Sequence, residues 1–557
     1  MNPIHSPVAR AVLVAAVLLD AGSGFGQATR KAPGFFDVHT YGAVSDGKKK
    51  NTDAIRKAIA AAVAAGGGTV YFPPGQYLTG PIQMKSNITL LVDAGAVVKF
   101  STDFDDYLPM VRSRWEGTEV INFSPLIYGD KVENVSIQGR GILDGQGEPW
   151  WAYFRALKED HKKTGVWKAD SKWQREFARV NPNIQKQIEL PDDPHMLKMG
   201  FLRPPFIQLL DSKNLSIEDI TIRNSPFWNI NPVYCDNVTV RGVTIESPDN
   251  APNTDGIDPE SCRNVHISDS HISVGDDCIT IKSGRDAQAR RINRPAENYT
   301  ITNCTMLRGH GGVVIGSEMS GGVSQIAVSN CVFDGTDRGI RIKSTRGRGA
   351  IVENVRVSNI VMRNIRNEAI TLNMFYSDAP PEPLSDRTPR FRNIHISGVS
   401  GDAQQAGLLL GLPESRLEDV SIEDVNLVAK KGFVIKDAKN IQLRSVQVES
   451  QAGSAITAER VENLVLSDVG TLVPHPGIPT VDLLNIKNGF VRGCFAVPGT
   501  DVFLQIRGPE SESIVVDGND VLGAKTPVAV AKDVRGRVVL GTVAVPTVVV
   551  GGVHVAP

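Results

Sequence analysis

One short pattern recurs along most of this chain and restricts its fold more than any other feature. An Asn is followed by an apolar residue, any residue, a second apolar residue and then polar residues, as in KNLSIED and RNVHISD. Half of the intervals between neighbouring copies are 21 to 29 residues long. Copies begin at Asn87, Asn134, Asn214, Asn237, Asn264, Asn298, Asn354, Asn393, Asp419, Asn440 and Asn463. Short apolar stretches at such a period, separated by polar turns, indicate a solenoid.

The alternation of apolar and polar residues within each copy is typical of strands. Helical repeats need a period of 3.6 residues, and leucine-rich repeats would carry a framework of leucines that is missing here. An all-β fold follows, a single-stranded parallel β-helix in which coils of about 25 residues stack with their strands ~4.8 Å apart. The repeated Asn would then stack on itself as an amide ladder.

The repeat predicts one long domain. We assign residues 27–557 to it, with an N-terminal cap region at 35–85 and additional coils with a C-terminal cap at 390–557. The repeat is interrupted at 150–202 by a polar, tryptophan-containing segment that reads as one or two helices on a long loop. Loops of this length are usually functional or disordered.

The first residues predict export. Arg10 precedes a short apolar run, residues 11–19, followed by small residues, which is typical of a cleaved signal peptide over residues 1–26. The alternative is an amphipathic or buried N-terminal segment. We therefore expect a secreted or periplasmic protein without a membrane anchor. Its formal net charge of -1 gives no general attraction to nucleic acid.

The cysteines are spaced like the repeat. Cys235 and Cys262 are separated by one coil, as are Cys304 and Cys331, so these pairs are expected to be stacked core residues and not disulfides. No CxxC pattern or histidine cluster suggests a structural zinc site.

The string NTD occurs twice. At Asn51 it precedes AIRKAIAAAVAAGGG, whose apolar residues Ile55, Ala58, Ile59, Ala62 and Val63 lie on one helical face. Asn51, Thr52 or Asp53 is a natural N-cap, and Gly66 a natural stop. This copy is expected to belong to a helix that covers the first coil.

The second copy starts a group of acids. Asp255 in NTDG and Asp276 and Asp277 in GDDC are about one coil apart, so the three carboxylates should meet on one face. Close carboxylates cannot all ionise easily, and at least one pKa should be raised. Glycoside hydrolysis uses such a group, one carboxyl protonating the leaving oxygen and another activating water.

Basic residues follow on later coils. His310 lies in RGHGG, and Arg341 and Lys343 in DRGIRIKS point to the same side of one strand. From 282 to 348 there are 11 Lys and Arg against 5 Asp and Glu. A cationic strip beside acids indicates an anionic substrate. The arginines of GRDAQARRINRP contact this substrate or belong to a solvated loop; they are Arg285, Arg290, Arg291 and Arg294.

The ordered motifs NTD, GDD, GHG and RIK resemble the signature of glycoside hydrolase family 28, the polygalacturonases. The stretch YGAVSDG…NTDAIRKAI…GGGTVYFPPGQY is also similar to the opening of many pectin-degrading β-helices. The resemblance covers roughly residues 35–376. It implies a right-handed parallel β-helix that hydrolyses α-1,4-linked galacturonan with inversion and needs no metal or other cofactor.

The resemblance also implies a role for each motif residue. Asp276 would be the general acid, Asp255 and Asp277 would hold and activate the attacking water, and His310 would tune the protonation of the acid. The substrate-binding residues would be Asn253, Arg341, Lys343 and, in NMFY, Tyr376. Parallel carboxylates on adjacent coils would be ~5 Å apart, which is usually typical of retaining enzymes, whereas the family is inverting.

The same residues allow three other functions. The substrate could be rhamnogalacturonan or another substituted pectin, the enzyme could be a pectate lyase that uses Ca²⁺, or the protein could be a β-helix that binds carbohydrate without catalysis. The motif GSEMSGG at 316–322 is similar to bacterial exo-acting members and favours exo action. The segment 150–202 and the loop after Gly284 are candidates for the wall of an exo site. One chain carries all of these motifs, so the sequence predicts a monomer.

Overall fold

The computed structural model describes residues 34–184, 196–541, 548–550 and 553–555. The chain winds into a right-handed parallel β-helix, which confirms the predicted fold class. Each coil pairs in parallel with the next, so that Val238 lies between Leu215 and Val265. The predicted signal peptide, residues 1–26, lies outside the described residues, and the division of the chain into a cap, an insertion and additional coils stays a prediction.

The strands lie on three faces, the third of which we call the floor. The first face contains Gly34–Asp37, Gly68–Phe72, Ile88–Val92, Glu133–Gln138, Lys213–Glu218, Asp236–Arg241, Arg263–Ser268, Ala296–Thr302, Lys487–Arg492, Glu512–Asp517 and Val538–Leu540. The second contains Asp46–Lys50, Gly75–Thr79, Ala96–Phe100, Ile142–Asp144, Thr221–Arg223, Thr244–Glu246, His271–Ser273 and Thr305–Leu307. The floor contains Ile82–Gln83, Ile127–Asp130, Ile207–Leu210, Ile279–Ile281, Val313–Ile315, Ile340–Lys343, Pro479–Leu484, Thr500–Arg507, Ala524–Val530 and Val548–Val550.

Other strands continue around corners or form hairpins. Those that pass from one face to another are Val323–Asp334, Ile351–Asn373, Arg390–Leu410, Leu417–Ser450 and Ile456–Ser467. The antiparallel pairs are Val111–Trp115 with Thr118–Asn122, and Val548–Val550 with Val553–Val555. The helices are α1 (Thr52–Ala64), α2 (Glu148–Thr164), α3 (Lys172–Val180) and α4 (Asp286–Ile292), with 3-10 turns at Val38–Tyr41, Phe104–Tyr107 and Met196–Met199.

The amide ladder predicted from the repeat is present at the turn before the first face. Asn134 Nδ2 donates to Asn87 Oδ1 over 2.9 Å, and Asn214 Nδ2 donates to Asn134 Oδ1 over 3.0 Å. The repeated residues have positive φ, for example 56° at Asn214, which Asn tolerates better than most residues. The recurring Asn therefore turns each coil in the same way and binds it to its neighbour.

Helix α1 covers the first coil, as the apolar face in its sequence predicted. Ile55, Ala58, Ile59 and Ala62 are buried, whereas Val63, which was assigned to the same face, is 45% exposed. Asn51 is the N-cap residue, one of the three candidates in the sequence, but its side chain makes no capping hydrogen bond to the helix. Its amide instead makes hydrogen bonds to backbone groups of the surrounding coil.

The interrupting segment forms helices α2 and α3 and packs against the β-helix. The indole of Trp150 lies 4.1 Å from the ring of Phe104 and 5.3 Å from that of Phe123. Phe201, at the end of the segment, contacts the same cluster. The burial of these aromatic rings holds the segment beside the floor strands that carry the acids.

All six cysteines are free and buried, which confirms the prediction made for the two pairs that are spaced by one coil. The backbone N of Cys235 lies 3.4 Å from Sγ of Cys262 on the next coil. Among the described residues, no helix combines the length and hydropathy needed to cross a membrane.

Candidate active site

The acids lie where the chain enters the floor. Ile257 pairs with Ile279 on the next coil, so Asp255 and Asp277, each two residues earlier, occupy corresponding positions. The spacing had suggested Asp276 as the neighbour of Asp255 about one coil on; the register gives that place to Asp277. A Cβ on Gly256 would lie 2.4 Å from the carbonyl oxygen of Cys278, so only glycine allows the two coils to approach here.

The three predicted carboxylates come together. Oxygen atoms of Asp255, Asp276 and Asp277 all lie within 4.8 Å of one another. The side chains of Asp255 and Asp277 are buried, whereas that of Asp276 is 18% exposed. Asp276 is therefore the member of the group that a substrate can reach most directly.

Asp277 is held ionised by the RIK motif. Lys343 Nζ donates to Asp277 Oδ2 over 2.7 Å, and Arg341 Nη1 lies 3.4 Å from Oδ1. Burial alone would raise the pKa of Asp277, but the charges of Lys343, Arg341 and Lys282 outweigh burial and lower this pKa to about 2. The RIK cations were expected to face substrate; in the structure they pair with Asp277.

Asp276 has a histidine partner. The ring Nδ1 of His310 lies 2.9 Å from Asp276 Oδ1, and the backbone N of His310 donates to the carbonyl oxygen of Asp276. The hydrogen bond to Asp276 raises the pKa of His310, although partial burial opposes it. Gly309, with φ of 93°, allows this contact because a Cβ there would lie 2.5 Å from the same carbonyl oxygen.

Asp255 is the most confined of the three acids. Its Oδ2 lies 3.7 Å from Lys282 Nζ, while its Oδ1 has no hydrogen-bond partner. Burial and the neighbouring charges of Asp276 and Asp258 raise the pKa of Asp255, and the charge of Lys282 lowers it only in part. The group thus contains one acid that holds its proton strongly and one, Asp277, that stays ionised.

Lys282 is a residue that the sequence reasoning missed. Its side chain is 4% exposed, its Nζ lies 3.1 Å from Glu318 Oε2, and it lies 4.3 Å from the centre of the Trp228 ring. Burial would lower the pKa of Lys282, but Glu318 and Asp255 raise it. The available signal was its place in GDDCITIKSG. In a strand whose side chains alternate, Lys282 lies on the same side as Thr280.

Asn253 is fixed by a second residue that was missed, Arg203. Arg203 Nη2 donates to Asn253 Oδ1 over 2.8 Å, and its Nη1 donates to the carbonyl oxygen of Pro252. The guanidinium group lies 4.0 Å from the centre of the Phe154 ring of α2. The interrupting segment therefore supports the predicted sugar-contacting residue from behind.

Tyr376 lies beside the two RIK cations on the other side of the acids. Its ring centre is 5.7 Å from the guanidinium carbon of Arg341 and 5.2 Å from Lys343 Nζ, and the ring is exposed. Beyond it, the outward-facing floor residues Leu408 and Val434 are partly exposed. Thr371, on the coil between Arg341 and Leu408, is buried.

The opposite end of the cleft is covered by a hairpin, residues 111–122. Ser113 Oγ donates to Gln208 Oε1 over 2.7 Å, and Arg114 Nε lies 3.4 Å from Glu260 Oε2. Gln208 faces outward two coils before Asp255, and Glu260 lies on the coil of Asp255 itself, yet both are fully buried. The hairpin therefore closes the floor on this side, a feature that the sequence analysis did not identify.

The tip of the hairpin contacts the loop after Gly284. Arg285 N donates to the carbonyl oxygen of Gly117 over 3.0 Å, and Arg285 Nη1 lies 3.6 Å from Glu116 Oε2. Burial raises the pKa of Glu116 to about 7. A Cβ on Gly117 would lie 2.9 Å from Arg285 N, so the turn needs glycine to reach this loop.

The other arginines of this loop mostly bind protein. Arg290 Nη1 donates to the carbonyl oxygen of Gly347, and Arg294 Nε donates to that of Ser261. Arg291 is exposed. The loop is therefore not the solvated segment considered as one alternative, and its role toward substrate stays a prediction.

Each of the three carboxylates lies beside a basic side chain of the protein. Lys282 faces Asp255, His310 faces Asp276, and Lys343 with Arg341 faces Asp277. We therefore assign no metal ion to this group of acids.

The comparisons with known proteins agree with this geometry. A family model described as glycosyl hydrolases family 28 matches residues 196–468, and one described as rhamnogalacturonase A/epimerase, pectate lyase-like, matches residues 35–159. The crystal structure of a hyperthermoactive exopolygalacturonase from Thermotoga maritima is 33% identical with a TM-score of 0.63, over 73% of this chain and 91% of that one.

Two further relatives extend the comparison. A probable polygalacturonase of Vitis vinifera is 29% identical over 70% of this chain and 73% of its own length. The family 28 exopolygalacturonase of Yersinia enterocolitica is 24% identical with a TM-score of 0.64, over 78% of this chain and 79% of that one, and supports the fold. The family model and the 33% identity to the Thermotoga maritima exopolygalacturonase, 91% of which this chain covers, lead to one conclusion: the chain belongs to glycosyl hydrolase family 28 and is a glycoside hydrolase.

Proposed function

We propose that the protein hydrolyses α-1,4-galacturonosidic bonds of pectin from one end of the chain, with inversion at the anomeric carbon. The observation that carries this proposal is the group of three carboxylates beside Arg341 and Lys343, cations suited to a galacturonate carboxylate. The similarity to the exopolygalacturonase of Thermotoga maritima supports the same substrate.

The accessibility of each acid suggests its role. Asp276, the most exposed, donates its proton to the glycosidic oxygen as the C–O bond breaks. A water molecule attacks the anomeric carbon and loses its proton to the pair formed by Asp255 and Asp277. Both oxygens of Asp277 are engaged by Lys343 and Arg341, which disfavours it as a nucleophile that would form a covalent intermediate.

Inversion has a direct test. Carboxyl separations of ~5 Å are usual for retaining enzymes and ~6.5–9.5 Å for inverting ones, so the distances alone do not favour inversion. Proton NMR during the first minutes of hydrolysis should show the β-anomer of the new reducing end, before mutarotation. Initial accumulation of the α-anomer would refute the proposed mechanism.

Exo action is supported by the difference between the two ends of the cleft. The hairpin 111–122 buries the floor on the N-terminal side of the acids, whereas floor residues beyond Tyr376 are partly exposed. A chain that enters from the open side can extend past the acids only as far as the hairpin.

Brief digestion of polygalacturonate, followed by separation of products by size, tests both substrate and mode. We expect galacturonate monomer or dimer alone while the polymer remains long, and no product with the Asp276→Asn variant. A ladder of intermediate oligomers would refute exo action. Turnover of wild type only on rhamnogalacturonan, a candidate favoured by the family model at residues 35–159, would replace the substrate.

We further propose an exported, monomeric enzyme. The apolar run after Arg10 supports export, either to the periplasm or to the medium. Mass spectrometry of the mature protein should show loss of about the first 26 residues, the span that the sequence assigns to a signal peptide. Light scattering should give the mass of one chain, and a dimer mass would refute the monomer.

A further inference from the structure

Each of the three acids faces a cation, and Lys282 supplies the cation of the third pair. The pairs His310 with Asp276 and Lys343 with Asp277 come from the motifs that mark the family. The third acid, Asp255, faces Lys282, which belongs to none of those motifs. Among the described residues, Lys282 is the one cation with a nitrogen within 4.0 Å of the Asp255 carboxylate.

Lys282 is held in place from several sides. It follows the floor strand Ile279–Ile281 and pairs with Glu260 on the preceding coil. Its Nζ is 3.1 Å from Glu318 Oε2, 3.7 Å from Asp255 Oδ2 and 4.3 Å from the centre of the Trp228 ring. The ammonium group is therefore shared between two carboxylates in a place that bulk water scarcely reaches.

Glu318 is itself surrounded by cations. Its Oε1 lies 4.0 Å from Arg348 Nη2 and accepts a hydrogen bond from Ser317 Oγ over 3.0 Å. Burial would raise the pKa of Glu318, but the charges of Lys282 and Arg348 outweigh it and lower this pKa. Glu318 therefore stays ionised and attracts the same ammonium group that faces Asp255.

We propose that Lys282 is a positioning residue that orients the Asp255 carboxyl and favours its ionised form, in which it can accept the proton of the attacking water, and that Glu318 sets how closely Lys282 approaches it. This inference rests on the proposed hydrolytic function. It assigns a catalytic purpose to GSEMSGG, the segment that carries Glu318.

The other charges around Asp255 do not replace Lys282. Asp276, Asp277 and Asp258 are acids that raise its pKa. Arg203 interacts with Asp255 at longer range and donates its hydrogen bonds elsewhere. The remaining acids that face Lys282 are Asp258, Asp277, Glu260 and Glu116. Without the ammonium group, Asp255 would be a buried carboxyl among carboxylates, and its pKa would rise further.

The pH dependence of kcat/KM in two variants tests this directly. In Lys282→Met, an apolar chain of similar length packs on Trp228, and the acidic limb should move upward by about 1 to 3 pH units, the usual effect of a nearby opposite charge. In Glu318→Gln, Lys282 loses its second partner and moves its charge toward Asp255, so the limb should move downward. Shifts in opposite directions are not expected from general damage to the site.

The result that would overturn the inference is an acidic limb that stays at the wild-type position in both variants, or that moves upward in both. If Lys282→Met fails to fold, as judged by circular dichroism and thermal unfolding, Glu318→Gln alone decides by the direction of its shift.

A second measurement does not depend on turnover. The Asp255 carboxyl carbon, labelled with ¹³C and assigned by its loss in Asp255→Asn, should titrate at higher pH in Lys282→Met than in wild type and at lower pH in Glu318→Gln. If wild type hydrolyses no galacturonan, the proposed function fails while this titration still judges Lys282. Identical titration of Asp255 in all three proteins would refute the inference.

Discussion

The two copies of NTD have identical letters and different surroundings. Asn51 is buried, and its amide makes four hydrogen bonds to backbone groups of Val44, Lys49 and Leu78, whereas Asp53 is 76% exposed and pairs with Arg56. In the second copy the Asp is the buried residue, and the Asn makes fewer hydrogen bonds. Asn253 makes one protein hydrogen bond, to Arg203, and Asp255 is buried among the acids of the candidate active site. One copy therefore holds a coil together through its Asn, and the other places its Asp in the candidate active site.

The fourth residue explains much of this difference. Ala54 continues the first copy into helix α1, which directs Asp53 outward. Gly256 continues the second copy into the floor, where the coil approaches the carbonyl oxygen of Cys278 too closely for a side chain. A tripeptide thus has no fixed role, because the backbone that follows it decides which of its side chains is buried.

The sharpest separation of the two copies is expected in catalysis. Asp255→Asn removes the acceptor for the water proton and should lower kcat on polygalacturonate by about 10²- to 10⁴-fold. Asp53→Asn, the matched change in the first copy, should leave kcat and KM unchanged. Comparable losses in the two variants would contradict the assignment of catalysis to the second copy alone.

The two asparagines should differ in their contribution to stability, with the larger contribution from Asn51 in the first copy. Asn51→Ala leaves buried backbone groups without partners and should lower the free energy of unfolding by about 1–3 kcal/mol, seen as a lower thermal midpoint. Asn253→Ala removes one hydrogen bond and should lower the midpoint less. It should instead raise KM, because Asn253 is expected to contact sugar. Equal midpoints in the two variants would contradict this reading.

The two aspartates should also differ in how pH affects stability. Asp255 has a raised pKa in the folded state, so the folded protein binds more protons there than the unfolded chain, and its contribution to stability falls as pH rises above the unfolded value near ~3.9. Asp255→Asn should therefore raise the thermal midpoint relative to wild type at pH 7, and this gain should vanish near pH 4. A gain that is constant with pH would show that ionisation is not its cause.

The smallest expected effect concerns the exposed pair in the first copy. Arg56→Ala removes the only ion pair that the structure shows for Asp53, and exposed pairs of this kind contribute up to ~0.5 kcal/mol. The thermal midpoint and the activity should both stay close to wild type. A large loss in either would mean that the first copy has a function beyond covering the first coil.

The repeat, the acids and helix α1 could be predicted because each depends on local sequence. The Asn of each coil needs positive φ, and the strands need alternation, so both leave a periodic trace in the chain. The acids could be grouped because coils stack at a regular interval. The exact register, Asp255 beside Asp277, could not be read from the spacing because coil lengths vary.

The hairpin 111–122, Arg203 and Lys282 escaped prediction for a different reason. The hairpin closes the cleft through contacts such as Ser113 with Gln208, which are distant in the chain. Arg203 acts through Asn253, and its own neighbours in sequence carry no motif. Lys282 alternates outward from the strand like an ordinary surface lysine, and only the packing of Trp228 and Glu318 around it makes it part of the site.

The six buried, unbridged cysteines have a consequence for biogenesis. A chain whose native state contains no disulfide needs neither an oxidase nor an isomerase to mature. Its folding is then independent of the redox poise of the compartment in which it takes place. Refolding from denaturant should give the same yield with and without reductant, and the limiting hazard during refolding becomes the mispairing of coils that resemble one another.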